Sequence, residues 1–492
     1  MVKTREKWDL HPFGDDRMNT FSKEIAGFIL ETDFEDLPDA VIRESKRIIM
    51  DSLACALAGV ESDRGKYAVA LSERLGGPRE ASIIGTSFKG SCAYTAFANG
   101  ELVNALDYDA LEIPPGHTPP YVIPAALSMA EHTEATGKDL ILAVALGHEV
   151  AARIDRALVP RKGAVKEETE WQQSRQREES YLASGQSHLL FGGTAAGSRL
   201  LNLDETKIIH ALGISGHFCP IPTNRKFQAF MPSAMTKYGT SGWASIASVT
   251  AVLLAELGYL GDTSLFEGEY AFWRMYSYGG WEPDKALEKI GKTWFSVGMG
   301  YKPYPCHRAM HGPLDCLMSI LHGNAIMPEE IERIRVLGNP AIFESRYPME
   351  VPNHVAAQFN PLYIFSCAAN RIDAVYWQSQ DTMKSPEVLR FMERIVLGGL
   401  PDMAERMGRD PRSRWGGTAE VFARSKKYME TRMFAKGTSG TEAEMTDDEL
   451  IDKFRRSGFR VLPGEKMDRA VSYLCELEDV KDIKGLMSEV TL

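Results

Sequence analysis

The chain has 492 residues, 44% hydrophobic and 25% charged, the balance of an ordinary globular protein and not of a disordered, collagenous or coiled-coil one. At about 150 residues per domain, that length allows one to three domains. Lys and Arg number 56 against 67 Asp and Glu, a net charge of −11, so the molecule lacks the basic footprint that nucleic acid or an anionic membrane requires, and any anion it handles sits in a local basic pocket.

The polar start MVKTREKWDLHPFGDD has no apolar h-region, so no signal peptide is expected. From about 21 to 291 a helical period dominates. Asp36, Leu37 and Pro38 form a helix-start signal, proline being tolerated in a first turn. Ile42, Ile49, Leu53 and Ala56 then share one face, and Gly59 suits a C-cap. Small residues crowd 93–100, 192–197 and 241–248, which lets helix axes approach closely. None of those glycines follows a convincing strand, so they read as packing positions rather than phosphate cradles.

Asp107 and Asp109 precede His117 in a stretch that Pro114, Pro115, Pro119 and Pro120 hold out of regular helix. Rigid irregular backbone presenting carboxylates and an imidazole suits acid–base work, although Asp caps around a proline-bounded turn explain the same residues. Residues 161–181 are polar and mixed in charge, which suggests a solvated loop or exposed helix, or else a flap over a site. His188 and His217 are isolated histidines. Asp204 opens another helix start before Ile208, Ile209 and Leu212. Arg225 and Lys226 lie in a loop held by Pro220 and Pro222, with Lys237 beyond. They form either a clamp for a substrate with several carboxylates or a set of solvated cations.

Near 298 the pattern changes. Tyr301, Pro303, Tyr304 and Pro305 fix the backbone around Lys302, which either loses its charge by desolvation or keeps it and holds a carboxylate. His307, His311 and Asp315 share a helical face and offer a divalent-metal set, but a helix-start histidine and a packing histidine are the plainer reading. Residues 331–338 (IERIRVLG) alternate as a strand, and 419–434 read as two strands around a polar tip at 425–427. Residues 446–492 return to helix. The expected fold is mainly α: an all-helical domain from 1–297 plus 446–492, with an inserted α+β lid domain at 298–445. A cleft between two such bodies is a natural ligand site.

The sequence has no GxSxG, no P-loop and no GxGxxG after a strand, which argues against a hydrolase elbow, a nucleotide-driven step and a Rossmann cofactor. The 7 cysteines are scattered and include no CxxC pair. Disulfides and structural zinc are therefore not expected, and the cytoplasm is the expected location. No apolar run reaches the ~18 residues of a membrane span.

The succession of 47–59 (RIIMDSLACALAG), Phe97 to Gly100, Asp107 and Asp109, His117, 124–127 (PAAL), 192–203, Tyr301 to Pro305 and 359–363 (FNPLY) resembles the MmgE/PrpD family. That family includes 2-methylcitrate dehydratase, cis-aconitate decarboxylase and iminodisuccinate epimerase. The resemblance runs from about 20 to 490. It implies a helical domain with an α+β lid, a homodimer, no metal or organic cofactor, and proton transfer next to a carboxylate of a small di- or tricarboxylate. By position, Asp107, His117 and Lys302 match family active-site residues. The family's second histidine falls near His188, its middle-loop lysine near Lys226, and its lid tyrosine at Phe343. Its small polar position after the first aspartate is Leu111, which suggests a substrate with an apolar portion. On this basis His117 transfers the proton, Asp107 orients it, and Lys302, Arg225 and Lys226 stabilise the anion, with His188, Tyr301 and Leu111 contacting substrate. A dehydratase is the first expectation; an epimerase, a decarboxylase and a non-catalytic carboxylate binder are the alternatives.

Overall fold

The computed structural model describes residues 20–111, 116–159, 186–220, 231–237, 240–276 and 278–492, together with 162–163 and 180–181. The chain is mainly helical with small sheets, as its periodicity implies. Two hydrophobic cores form. One draws on residues between Phe21 and Tyr301 and again between Met445 and Val490; the other runs from Cys306 to Ala423.

In the first body, α1 (Thr20–Glu31) and α2 (Asp39–Gly59) open the chain, with Pro38 at the N-cap of α2. Gly59 ends α2, but its role is close approach: a Cβ there would strike the Leu102 carbonyl. Then come α3 (Asp63–Leu75), α4 (Cys92–Asn104), α5 (Pro119–His132), α6 (Gly137–Ala157), α7 (Leu190–Leu200), α8 (Glu205–Phe218) and α9 (Ser241–Glu256). Asp204 caps α8, accepting from the Lys207 amide at 2.9 Å. The small-residue stretches serve packing. A Cβ on Gly100 of α4 would lie 2.9 Å from the Gly242 Cα of α9, and Gly147 of α6 faces Gly192 of α7.

In the second body, α10 (His311–Gly323) leads to β1 (Ile331–Gly338), α11 (His354–Gln358), α12 (Pro361–Ala369), β2 (Ile395–Gly399), β3 (Gly417–Ala423) and β4 (Lys426–Arg432). The sheet order is β4-β3-β1-β2, with β1 and β2 parallel and the other pairs antiparallel. Ile331, Ile334 and Val336 point β1 into the core. Arg424 and Ser425, at φ 52° and 53°, turn the β3–β4 hairpin, the left-handed pair a two-residue turn demands. The chain then returns to the first body as α13 (Asp447–Gly458), which packs on α2, and α14 (Gly464–Cys475). No described helix is long and apolar enough to cross a membrane. Of 161–181, residues 162–163 pair antiparallel with 180–181; the rest lies outside the described residues.

Candidate active site

The aspartate loop follows α4. Asp107 adopts a left-handed backbone, φ 56°, which Asp tolerates better than most residues. The turn sends Asp107 and Asp109 to different partners. Lys302 Nζ donates to Asp107 Oδ2 at 2.8 Å and to its main-chain carbonyl at 2.7 Å, while Lys237 Nζ donates to Oδ1 at 3.1 Å. All three side chains are 0% exposed. Burial works to raise the Asp107 carboxyl, but the charges of Lys237, Lys302 and His117 overcome it and hold the group well below the usual carboxylate range. Burial pushes Lys237 down to about 8 against the pull of Asp107. Two ammonium groups thus meet around one carboxylate in the interior of an acidic molecule.

Asp109 is the partner of His117. Its Oδ2 meets His117 Nδ1 at 2.7 Å, and its Oδ1 accepts from Asn104 Nδ2 at 3.1 Å. Burial opposes ionisation of Asp109, yet the His117 contact holds it below its ordinary value. Asn104 Oδ1 in turn accepts from Arg64 at 3.0 Å, and Arg64 also grips Glu101. The His117 amide donates to Gln186 Oε1 at 3.0 Å. Gly116 has φ 120°, and a Cβ there would meet the Gln186 amide group at 2.8 Å. The backbone angle is what calls for glycine here.

Two supports hold the loop. From the tail, Lys453 Nζ donates to Asp51 Oδ1 at 2.7 Å and to the Tyr108 carbonyl at 2.8 Å, and Asp51 Oδ2 accepts from the Ala110 amide at 3.1 Å. From the lid, Gln358 Oε1 accepts from Lys237 at 2.7 Å and its Nε2 donates to the Ala105 carbonyl at 2.7 Å. Gln378 Nε2 donates to the carbonyls of Leu106 and Pro305 at 2.8 and 2.6 Å. The cluster is shut away from bulk water. The open hollows beside Asp204 and between Arg43 and Cys475 do not include it.

The structure brings His117, Asp107 and Lys302 together, with Asp109 bonded to the imidazole and Asp107 bonded to both lysines. Lys237, named in the sequence only as following the basic loop, is a cation of the cluster. Arg225 and Lys226 lie outside the described residues. His188 is close in sequence to Gln186, but its ring is held between Asp155 Oδ1 (Nε2, 2.8 Å) and the Tyr278 hydroxyl (Nδ1, 3.0 Å). Tyr301 donates to Glu44 at 2.9 Å with Arg47 over its ring, so it anchors the Lys302 segment to α2. Leu111 exchanges main-chain bonds with Gly300 at 2.9 and 3.0 Å, tying the aspartate loop to the same segment, and its side chain is buried. Phe343 packs in the lid core. His311 is spent on Arg308 and the Cys306 carbonyl, and Asp315 on Tyr304 and the Lys436 amide. The pair serves lid packing, the plainer of the two readings.

The helical body and the sheet-containing body thus bury lysines, carboxylates and an imidazole together. The chain belongs to the MmgE/PrpD family, whose N-terminal domain matches residues 23–284 and whose C-terminal domain matches residues 304–477, and it is an enzyme of the lyase type. The cis-aconitate decarboxylase of Mus musculus is 24% identical over 498 residues, 95% of this chain and 93% of that protein. The cis-aconitate decarboxylase of Aspergillus terreus is 22% identical over 482 residues, 92% of each chain. The cis-aconitate decarboxylase-like protein oryM of Aspergillus oryzae is 22% identical over 496 residues, 95% of this chain and 96% of that one.

Proposed function

We propose that this lyase acts on a small tricarboxylate of the cis-aconitate type, with loss of CO2 as the outcome. The observation that carries the reading is the buried pair of lysines on Asp107 beside the Asp109–His117 couple. When an unsaturated tricarboxylate loses CO2 from its saturated arm, the C–C bond breaks and its electron pair moves into the allylic system. The resulting carbanion is delocalised into a neighbouring carboxylate, so charge accumulates where Lys237 and Lys302 stand. One proton then goes to the carbon next to that carboxylate. With Asp109 on Nδ1, the Nε2 of His117 is the nitrogen that delivers it, and solvent restores it. No step of this scheme calls for a metal or an organic cofactor.

Dehydration, the first expectation from sequence, is the second reading. It needs a base for the α-proton and an acid for the departing hydroxyl; Lys237, pushed down to about 8, favours it by supplying a second group that titrates near neutrality. The cytoplasmic location and the homodimer implied by the resemblance belong to the proposal, and light scattering in solution tests the dimer. The deciding experiment presents cis-aconitate, 2-methylcitrate and alkyl-substituted succinates in D2O and follows products by NMR. The expected result is CO2 release from cis-aconitate with deuterium at one product carbon. Water loss from 2-methylcitrate without CO2 establishes the dehydratase instead, and deuterium exchange without net loss an epimerase. Indifference to all three sets sinks the enzymatic assignment. The alkyl substrates test Leu111, and preference for the citrate-like set removes its proposed role.

A further inference from the structure

We infer that His354 of the lid donates a hydrogen bond to a remote carboxylate of the substrate, completing a subsite that Lys237 begins. This rests on the tricarboxylate reading above. His354 is the first residue of α11, and Asn353 fixes that start twice: its side chain accepts from the Ala356 amide at 2.8 Å and donates to the Ser233 carbonyl at 2.8 Å, a few residues before Lys237. Gln358 lies one turn on from His354, hence on the same helical face, and its Oε1 takes Lys237 Nζ at 2.7 Å. Lys237 is therefore bonded by Asp107 from the helical body and by Gln358 from the lid, on the helix that His354 opens.

His354 is 1% exposed, and neither ring nitrogen has a hydrogen-bond partner among the described residues. A neutral imidazole carries one donor and one acceptor. Burying both unused is unfavourable, and native structures rarely do so without a purpose. Burial, and then the charges of Arg64 and Lys237, push the ring down to about 3, so at neutral pH it offers an N–H without a charge of its own. A polar partner that suits an N–H donor in the field of two cations is an anion. Within the proposed substrate that anion is a carboxylate away from the carbon His117 serves. In the sequence His354 sits in VPNHVAAQF, just ahead of the 359–363 stretch, and nothing local marks it as a ligand.

The test measures binding of two unreactive probes, propane-1,2,3-tricarboxylate and succinate, by calorimetry. Wild type is compared with His354→Phe and His354→Asn. His354→Phe is expected to melt no lower than wild type, because it removes an unsatisfied buried polar group. It should weaken the tricarboxylate by about 10–100-fold, the effect of one hydrogen bond to a charged group, and change succinate far less. His354→Asn, which keeps a donor, should recover part of the loss. Equal tricarboxylate affinity in His354→Phe and wild type overturns the subsite and leaves the lyase reading standing; so does equal weakening of both probes, which marks a structural role. Absence of binding by wild type together with absence of turnover overturns both. Should the phenylalanine variant not fold, 15N-histidine spectra decide. The ring resonance missing from His354→Asn must move in wild type when the tricarboxylate is added, and a stationary resonance refutes the subsite.

Discussion

At Asp107 a single left-handed residue divides the labour between two carboxylates. Asp107 faces two ammonium groups and Asp109 faces His117; two residues apart in an irregular stretch, they have no periodicity from which to tell which is which. Prolines flank His117 and follow Lys302, which makes these positions stand out in the sequence, whereas Asp107 stands out only through the family resemblance. The bonds from Lys237 to Asp107 and Gln358 span 130 and 121 residues, and no local pattern carries such a pairing. Asp109→Asn should leave the fold intact and lower kcat by about 10²–10⁴-fold, since an asparagine no longer fixes the imidazole tautomer; steady-state kinetics checks this, and near-normal turnover removes Asp109 from the machinery. Lys237 supplies a pH signature. Its folded value of about 8 lies below the ordinary 10.5, so it is charged below about 8 and neutral above. The ratio kcat/KM should fall as pH rises through that point. The matching limb in kcat should sit higher, because a bound carboxylate favours the charged lysine. Stability moves the other way. Between about 8 and 10.5 the unfolded lysine keeps a proton that the folded one has lost, so this group's contribution to stability rises with pH.

At the scale of elements, sequence signals worked where local chemistry decides. Pro38 and Asp204 start helices, and the alternation of 331–338 gives β1. The strand β2 was not foreseen: IVLGG is a short apolar run whose period does not separate strand from helix, and its parallel partner lies far back in the chain. The glycine-rich helices show why small residues matter to the site. Gly242 of α9 sits where a Cβ would strike the Phe97 carbonyl and the Glu101 side chain of α4. The same α4 carries Asn104, which holds Asp109. Gly242→Ala must push α9 off α4, at about 1–3 kcal/mol for an overpacked contact, and should reduce kcat as well because Asn104 moves with its helix. Thermal melting and turnover measured together check this. An unchanged melt shows that the two helices yield more easily than their packing suggests.

Across the whole molecule, the site is built from segments that are remote in sequence. Lys302 enters from the junction of the two bodies, Gln358 and Gln378 from the lid, and Lys453 from the tail after the chain has returned. The tail reads from sequence only as helix, which gives no hint that Lys453 grips the carbonyl of Tyr108, between the two aspartates. Asp51 is buried, which raises its carboxyl, and Lys453 is the charge that opposes the rise. Lys453→Met should therefore cost roughly 3–5 kcal/mol, the effect of leaving one member of a buried ion pair alone. With the lysine gone, Asp51 holds a proton in the fold at a pH where the unfolded chain, near 3.8, has released it. The folded variant then binds more protons than the unfolded one, so its stability should fall as pH rises above about 4 and recover on acidification. Adding Asp51→Asn removes the stranded charge and should return part of the lost stability and flatten that pH dependence. It should not restore activity, because the Tyr108 carbonyl still lacks its lysine. Denaturant titrations of wild type, the single variant and the double variant at several pH values test each step. A single variant as stable as wild type at neutral pH shows that the aspartate loop does not depend on the returning tail.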